Sequence, residues 1–509
     1  MKFLEIKKFF IPDSFNQKKS ITPMKVILTI LTLLYAHSTV TAQKIQNIPL
    51  EKANAAYDNF FYIDAIDLYK DIIVSGNSTV EVYQKLADCY YYNTDLKNAG
   101  KYYEKMWEKK NEIEEKKEKK SKKLGQPALD SIAIPNDHFI ETEYYFRTAH
   151  AFKHSKEYKK ANKYMELLKE KSKTDSRAKR LVDNPEYLEE IAKQANRYTI
   201  RNSEINSLYT DFAPTFYKNK LVFSSSRKPK TLLSKKNEWT DQSYLKLFYA
   251  SKDTVSDSLS YALEFSKRLN SRLHESTSAF SKNDSIIYFT RNNLSNLSIK
   301  KDSTGVSRLK LVRAKLNDKG KWGDIEELPF NSDQYSVAHP TLSPDGKKLY
   351  FASDMPGGYG MSDLYVVDIN TNGSFDIPRN LGPVINTEGR DSFPFISDSG
   401  MLYFASDGHL GLGGFDIFTF DFNDEEQIVY NVGEPVNSPS DDITFIIDDT
   451  TKKGYFASNR NQGKGGDDIY SFIETTPLNK TCDGTLEIIV LDETTLEPCL
   501  LYTSDAADD

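Results

Sequence analysis

The sequence is poor in the residues that cross-link exported domains and in those that bind nucleic acids. It contains only 3 cysteines among 509 residues, and Cys89, Cys482 and Cys499 are too scattered for a disulfide framework or a zinc site. The formal net charge is −6, whereas phosphate binding needs a concentrated excess of lysine and arginine. The sequence therefore predicts no nucleic-acid partner, no metal and no cofactor.

Motifs of the common enzyme classes are also missing. No Gly-x-Ser-x-Gly turn of an α/β-hydrolase occurs, and the glycine-rich turns precede strands and lack the Gly-Lys-Ser/Thr of a phosphate-binding loop. His150 and His154 have a spacing that can hold a metal, but the metalloprotease glutamate is missing between them. We interpret them as ordinary helix-surface histidines. The sequence predicts that the protein is not an enzyme and has no catalytic residues.

Apolar runs long enough to cross a bilayer are missing as well. Met24 and Lys25 precede a run of ten apolar residues, 26–35, which leads to a cleavage pattern after Ala42. This is the order of regions in a secretory signal, and the run is short for a transmembrane helix. We expect a signal peptide over residues 1–42, with Met24 as a possible true start; a buried apolar helix is the alternative. The mature chain is then exported and has no transmembrane segment.

Aromatic residues are abundant, with 31 Tyr and 29 Phe, and a helical repeat uses part of them. Small and aromatic residues recur with a period of 34, and a third copy keeps the 12-residue step between its two alanines. The expected packing positions are Ala53, Ala65, Tyr69, Ala87, Ala99, Tyr103, Ala149 and Ala161. The spacing resembles the tetratricopeptide repeat (TPR) over residues 48–195, which implies a superhelical scaffold whose concave face holds a partner protein. A plain helical bundle is the alternative.

A charged insertion, residues 109–138, separates the second and third helical repeats. It begins with KKNEIEEKKEKKSKK and continues into a segment that contains glycine and proline. Such a run is typical of a solvated, extended helix or of a mobile loop. A partner-binding arm is the alternative.

From Tyr198 onward the pattern changes to short strands separated by polar turns. Five copies of a strand-turn-strand motif end in an aromatic residue at the matching place: Phe223, Phe289, Phe351, Phe404 and Phe456. Four antiparallel strands in each unit would form a β-propeller blade, and the motif resembles the WD-like repeats of TolB and prolyl oligopeptidase. We expect five blades, or six, over residues 197–475. Residues 198–205 are predicted to supply the outermost strand of the last blade and to close the ring.

Three aspartates follow glycine-rich turns at matching places in the last three units: Asp363, Asp416 and Asp468. A ring of carboxylates could hold calcium or a cationic ligand. A repeated position is also what folding requires, since each aspartate can accept hydrogen bonds from the turn amides of its own blade. We favour the structural role.

The end of the sequence adds two short segments. Residues 480–499 resemble the start of a carboxypeptidase-regulatory-like β-sandwich, and residues 500–509 resemble a translated sequencing adapter rather than a native terminus. The expected fold is therefore multidomain α plus β, with an N-terminal TPR-like α-solenoid, a five-bladed β-propeller and a truncated β-sandwich start.

This order of segments resembles the OmpA-family envelope proteins of Bacteroidetes, one member of which is associated with type IX secretion and gliding. The resemblance implies a non-catalytic scaffold in the periplasm, associated with the outer membrane, whose TPR groove and propeller faces bind envelope proteins. Peptidoglycan would be bound only through a C-terminal OmpA-like domain that this sequence lacks. The alternative is a propeller that senses a small ligand or a glycan and is coupled to a TPR adaptor.

Overall fold

The computed structural model describes residues 49–124, 138–227, 237, 239–240, 242–253, 258–295 and 298–480. The chain forms two compact units, one from Met1–Asp137 with Lys236–Gln242, and one from His138–Lys235 with Ser243–Asp509. The predicted signal peptide, the later part of the charged insertion, and the predicted sandwich start and tail lie outside the described residues, apart from the terminal positions 138 and 480. No helix within the described ranges is both long enough and apolar enough to cross a membrane.

The first unit contains four helices in its described part. They are α1 (49–58), α2 (Tyr62–Val74), α3 (Val80–Tyr92) and α4 (Leu96–Leu124). Short connections join them, so that consecutive helices pack side by side, α2 on α3 and α3 on α4. Trp239 belongs to the same unit, and its indole ring lies edge-on against Tyr62, with 5.0 Å between the ring centroids.

The small residues that recur along these helices are all buried. Ala53, Ala65, Ala87 and Ala99 have no exposed surface, which allows close approach of neighbouring helices. Tyr69 and Tyr103 are also fully buried. The Tyr69 hydroxyl donates to Asn54 Oδ1 at 2.6 Å, and the Tyr103 hydroxyl donates to Asp88 Oδ1 at 2.7 Å. Both tyrosines therefore fill the space between helices without leaving a buried hydroxyl unsatisfied.

The charged run at 109–123 continues α4, which is 29 residues long. Its charges form pairs one turn apart, such as Lys119 with Glu115 at 3.4 Å and Lys122 with Glu118 at 2.6 Å. Exposed pairs of this kind contribute little to stability, because water and salt screen them. This half of α4 is thus a solvated helix rather than part of a core.

The second unit begins with four helices, α5 (His138–His154), α6 (Tyr158–Lys171), α7 (Ser176–Asp183) and α8 (Tyr187–Lys193). Ala149 and Ala161 are fully buried where α5 and α6 pack together. These helices also bind the propeller through polar contacts: the Tyr158 hydroxyl donates to Leu412 O at 3.0 Å, and Ser176 N donates to Glu388 Oε1 at 2.8 Å.

Five four-stranded antiparallel sheets follow, and each is one blade, described here from its innermost strand outward. Blade 1 contains β2 (Asp211–Tyr217), β3 (Lys220–Ser225), β4 (Lys246–Ser251) and β5 (Leu263–Glu264). Blade 2 contains β6 (Glu275–Phe280), β7 (Ile286–Asn292), β10 (Leu309–Leu316) and β11 (Trp322–Glu327), with the short hairpin β8 (Leu294–Ser295) and β9 (Ser298–Ile299) between its second and third strands.

The last three blades have the same order. Blade 3 contains β12 (Val337–Leu342), β13 (Lys348–Ser353), β14 (Asp363–Asp368) and β15 (Arg379–Asn380). Blade 4 contains β16 (Asp391–Ile396), β17 (Leu402–Ser406), β18 (Asp416–Phe420) and β19 (Val429–Asn431). Blade 5 contains β20 (Asp442–Asp448), β21 (Lys453–Ser458), β22 (Asp468–Glu474) and β1 (Tyr198–Asn202). The predicted class, helices followed by a five-bladed propeller, is confirmed.

The ring is closed by β1, which comes from the N-terminal side of the propeller and pairs with β22 from Tyr198 opposite Glu474 to Asn202 opposite Tyr470. A polar clamp adjoins this pair. Arg197 Nη2 lies 2.6 Å from Glu474 Oε1. Gln194 Nε2 donates to Asn479 O at 2.5 Å, and Asn479 N donates to Gln194 Oε1 at 3.0 Å. The chain therefore enters and leaves the propeller at adjacent points.

The aromatic residue that ends each repeated motif lies on the second strand of its blade. Phe223, Phe289, Phe351, Phe404 and Phe456 are each at most 1% exposed. In blade 5, for example, the Phe456 and Tyr470 rings stack with 5.4 Å between centroids. Burial of one such ring contributes about 1.5–3 kcal/mol, so the repeated aromatic accounts for much of the core between blades.

Four blades begin their innermost strand with a fully buried acid: Asp211, Glu275, Asp391 and Asp442. Three of these pair with a basic residue, as Asp211 Oδ1 does with Arg227 Nη2 at 2.6 Å. Asp391 instead accepts hydrogen bonds from Thr387 N at 2.6 Å and from Thr387 Oγ1 at 2.9 Å. Burial raises the pKa of Asp391 to about 7.

Replacement of this residue, Asp391→Asn, is expected to raise the melting temperature more at pH 8 than at pH 5. The folded-state pKa lies above that of an unfolded aspartate, near 4, so the stability contributed by the protonated acid is present below pH 4 and is lost as the pH rises to 7. Asparagine keeps the acceptor and does not ionise. The expected gain in the free energy of unfolding at pH 8 is about 2–4 kcal/mol, measured by thermal unfolding at the two pH values.

The control is Asp211→Asn, which breaks an ion pair and should lower the stability at both pH values. An equal shift at pH 5 and pH 8 for Asp391→Asn would contradict the prediction.

Candidate functional site

The innermost strands of the five blades, β2, β6, β12, β16 and β20, surround a cavity on the propeller axis. Its volume is about 1150 Å³, slightly above the usual range for ligand pockets. We call this cavity the channel. Every blade contributes side chains to its wall, so the channel exists only in the closed ring.

A bulge in each innermost strand shapes the channel wall. The pairing with the second strand shifts register at the same place in all five blades, and one residue there has a positive φ between 22° and 59°. These residues are Ala213, Thr277, His339, Phe393 and Thr444, and all line the channel. We call them the inner ring. None is glycine, so each position costs about 1–3 kcal/mol of backbone strain that the surrounding fold must hold.

The inner ring carries neutral polar groups and an aromatic face. His339 Nδ1 lies 3.2 Å from Thr277 Oγ1, which is 2.6 Å from Thr290 Oγ1. The imidazole also packs on Phe393, with 4.0 Å between the ring centroids. Burial lowers the pKa of His339 to about 3, so the imidazole is neutral near pH 7. The inner ring can therefore exchange hydrogen bonds and pack apolar groups without adding charge.

Charged side chains line the channel both near the ends of the innermost strands and along the outer strands of blades 5 and 1. The basic residues that line the channel are Arg201, Lys218, Lys220, Lys252, Lys282 and Lys453, and the acidic ones are Glu204, Asp398 and Asp448. Glu204 pairs with Arg201 at 2.6 Å. Asp448 Oδ1 accepts from Thr450 N at 2.9 Å and from Thr451 N at 2.8 Å. The channel mouth is thus basic, although the whole chain has a net charge of −6.

Toward the other end of the innermost strands, an apolar cluster lies next to the buried acids that begin four of these strands. Phe212, Ala213 and Ile443 pack in one cluster, with the partly buried Phe393 and Phe415 against it. This cluster lies toward the beginning of the strands, opposite the lysines. A ligand that enters from the basic mouth would meet the neutral inner ring next.

The three aspartates singled out from the glycine-rich turns lie elsewhere. Asp363, Asp416 and Asp468 each begin the third strand of a blade, are at most 1% exposed, and are not among the described residues that line the channel. Each accepts from an amide of its own turn: from Gly360 N at 3.0 Å, Gly413 N at 3.1 Å and Gly465 N at 3.1 Å, respectively. Over the described ranges, no three His, Cys, Asp or Glu side chains are grouped as a metal site.

The interpretation of the two α5 histidines as ordinary surface residues is wrong, since His150 is buried and the half-buried His154 contacts the propeller. His150 is 3% exposed, and burial lowers its pKa. His154 Nδ1 lies 2.8 Å from Pro439 O in a propeller loop. The physical reason is that α5 packs against loops of the propeller some 250–300 residues away in sequence, which the helical spacing alone does not reveal.

No family model matches the chain, and no curated protein matches it in sequence. Among solved structures, it is similar to TolB from Acinetobacter baumannii, with 13% identity over 52% of this chain and 54% of that chain and a TM-score of 0.27. A puromycin-hydrolysing peptidase from Mycobacterium tuberculosis is 12% identical over 50% of this chain and 35% of that chain, with a TM-score of 0.28. An endo-arabinase from Bacteroides thetaiotaomicron is 12% identical over 57% of this chain and 100% of that chain, with a TM-score of 0.34.

The chain spans about half the length of the TolB structure and about a third of the peptidase. The sequence predicts that the protein is not an enzyme, and that prediction is wrong, because the similar structures include a peptidase and an endo-arabinase. A missing linear motif does not exclude catalysis in a propeller, since functional groups can come from loops of several blades. At these identities and TM-scores the comparisons carry nothing beyond a likeness of fold, and the five-bladed β-propeller is established by the sheets of this chain.

Proposed function

We propose that this protein is an envelope protein that binds a segment of a partner polypeptide in the channel of its propeller. The observation that carries the proposal is the inner ring: five non-glycine residues held in left-handed backbone, all on the wall of one open cavity. Strain of this kind persists where the fold over-determines it and clusters at binding sites. A volume of about 1150 Å³ accommodates a short stretch of extended chain.

The helices support a second protein-binding surface. All eight packing positions that carry the resemblance to TPR are fully buried, which supports a helical repeat built from close-packed hairpins. We propose that a groove on the hairpins of the first unit binds an envelope partner while the propeller binds another. The protein would then connect two components rather than act on one.

The cellular setting rests on the order of segments in the sequence. We propose export by the signal over residues 1–42, residence in the periplasm and association with an outer-membrane machine such as type IX secretion. Cell-wall anchoring would require an OmpA-like domain beyond this sequence. The inner ring also offers the neutral polar and aromatic groups that suit a sugar or small ligand, so a ligand-sensing propeller is the second candidate.

Filling the channel tests the proposal. Thr215 lies on the channel wall, two residues beyond Ala213 of the inner ring. Thr215→Trp is expected to abolish retention of a partner from envelope extract without unfolding the protein. The matched control is Ile377→Trp, because Ile377 is 84% exposed and lies outside the channel wall. Partner retention is measured by affinity capture and mass spectrometry, and folding by circular dichroism.

A partner that is lost with Thr215→Trp and kept with Ile377→Trp supports the channel as the binding site. Equal retention by both variants contradicts it. A thermal shift with a small saccharide, blocked by Thr215→Trp and seen without any retained protein, would favour the ligand-sensing candidate instead.

A further inference from the structure

Three lysines on one side of the channel mouth have no acidic partner. Lys218 lies in the turn between β2 and β3, Lys220 begins β3, and Lys282 lies in the turn between β6 and β7. All three line the channel. Within the described part of the chain, none of them forms a salt bridge. Lys220 Nζ instead lies 4.2 Å from the centroid of the Tyr249 ring.

Comparison with blade 3 shows that blade 1 has no acidic residue at the position that would pair with Lys220. Lys348 begins β13 as Lys220 begins β3, and it faces Asp368, the last residue of β14, across the strand pair. Lys348 Nζ lies 2.8 Å from Asp368 Oδ1. The residue across from Lys220 is Ser251, which carries no charge. The same strand position is therefore neutralised in blade 3 and left positive in blade 1.

The unpaired lysines give this side of the channel mouth a positive potential. Like charges at one rim repel each other, and the low-dielectric wall of a cavity focuses their field on its contents. A bound carboxylate would remove this repulsion and would gain charge-assisted hydrogen bonds. The side of the mouth formed by blades 1 and 2 is thus built for an anionic group.

The residues of the deeper channel wall indicate which kind of anionic ligand fits. Beyond the lysines the wall becomes neutral and partly apolar, with Pro214, Pro340 and Pro394 beside the inner ring residues Phe393 and His339. A nucleic acid would need stacking platforms and a longer basic surface, and a long polyanion would also be repelled by a chain of net charge −6. A peptide with a few carboxylates and some apolar side chains satisfies both parts of the wall.

We propose that the channel binds an acidic peptide segment, with its carboxylates against Lys218, Lys220 and Lys282 and its uncharged residues against the inner ring. The inference rests on the proposed function, since it specifies the polypeptide that the channel takes. The lysines act as specificity-determining residues and not as part of the fold.

The test uses fluorescein-labelled ten-residue peptides and the purified full chain. One peptide alternates Glu with Leu, a second replaces Glu by Gln, and a third replaces Glu by Lys. Fluorescence anisotropy is expected to show binding of the Glu peptide only, with weakening as NaCl rises from 50 to 300 mM. The triple variant Lys218→Glu, Lys220→Glu, Lys282→Glu is expected to weaken this binding at least about tenfold.

A matched control reverses three exposed lysines of α4, Lys116→Glu, Lys117→Glu and Lys120→Glu, which changes the net charge equally and should leave binding unchanged. Equal binding of the Glu peptide to both triple variants overturns the inference. Binding of the Gln peptide as tightly as the Glu peptide, lost with Thr215→Trp, also overturns it but leaves the proposed polypeptide site intact. Binding of an anionic oligosaccharide, such as a galacturonate oligomer, with no peptide bound contradicts both proposals.

Discussion

Replacement of the β1 strand, residues 198–202, by a Gly-Ser sequence of the same length is expected to abolish the cooperative unfolding of the propeller. Tyr198 is 3% exposed, and its ring lies edge-on to Phe472 with 5.3 Å between centroids. Loss of this residue alone removes about 3–5 kcal/mol. Loss of the strand also exposes the edge of β22 along five residue pairs. Together these costs approach the net stability of a typical domain, about 5–15 kcal/mol.

The change is measured by thermal unfolding in circular dichroism and by limited proteolysis of blade 5. The matched control is Thr199→Ser with Arg201→Ser, because both side chains are exposed at the channel mouth and these changes leave the strand pairing and the buried residues in place. The control should melt within a few degrees of the natural protein. A Gly-Ser variant with an unchanged cooperative transition would show that β1 does not close the ring.

Replacement of Phe404 by alanine is expected to lower the free energy of unfolding of the propeller by about 3–5 kcal/mol. Phe404 is 1% exposed and lies on the second strand of blade 4. It belongs to a cluster that includes Tyr350 and Leu364 of blade 3 as well as Phe418 of its own blade. The cavity left by the ring would therefore weaken the contact between two blades and not only one sheet.

Urea unfolding followed by tyrosine fluorescence measures this loss, with comparison of the midpoints at equal slope. Phe422→Ala is the control, since Phe422 is 41% exposed and the same atoms are removed. We expect a loss near 1 kcal/mol for the control. Similar losses for the two variants would mean that the contact between blades 3 and 4 contributes little to stability.

Sequence reasoning recovers those features of the fold whose residues recur at a fixed spacing along the chain. The five buried phenylalanines repeat because each blade needs one large side chain on its second strand, and the turns between strands carry their own polar chemistry. The buried alanines of the helices repeat for a similar reason, since close helix approach needs a small side chain at a fixed place in the helical turn. Fold class follows from these patterns.

The inner ring was beyond such reasoning because its five positions hold four different residue types. Positive φ in a strand is usually marked by glycine, and no glycine occurs there. A signal did exist: proline follows Ala213, His339 and Phe393 at the same place in three blades. The packing of α5 on the propeller could not be predicted, since His154 and Pro439 are 285 residues apart.

The polar clamp at the closure of the ring has a mechanical consequence. The segment before β1 and the segment after β22 are held side by side by Gln194, Arg197, Glu474 and Asn479. The helices that precede β1 also contact propeller loops directly, through Tyr158 with Leu412 O and Ser176 with Glu388. Tension on the segment before β1 would therefore be shared between the clamp and these contacts, and β1 would separate from β22 only after both had broken.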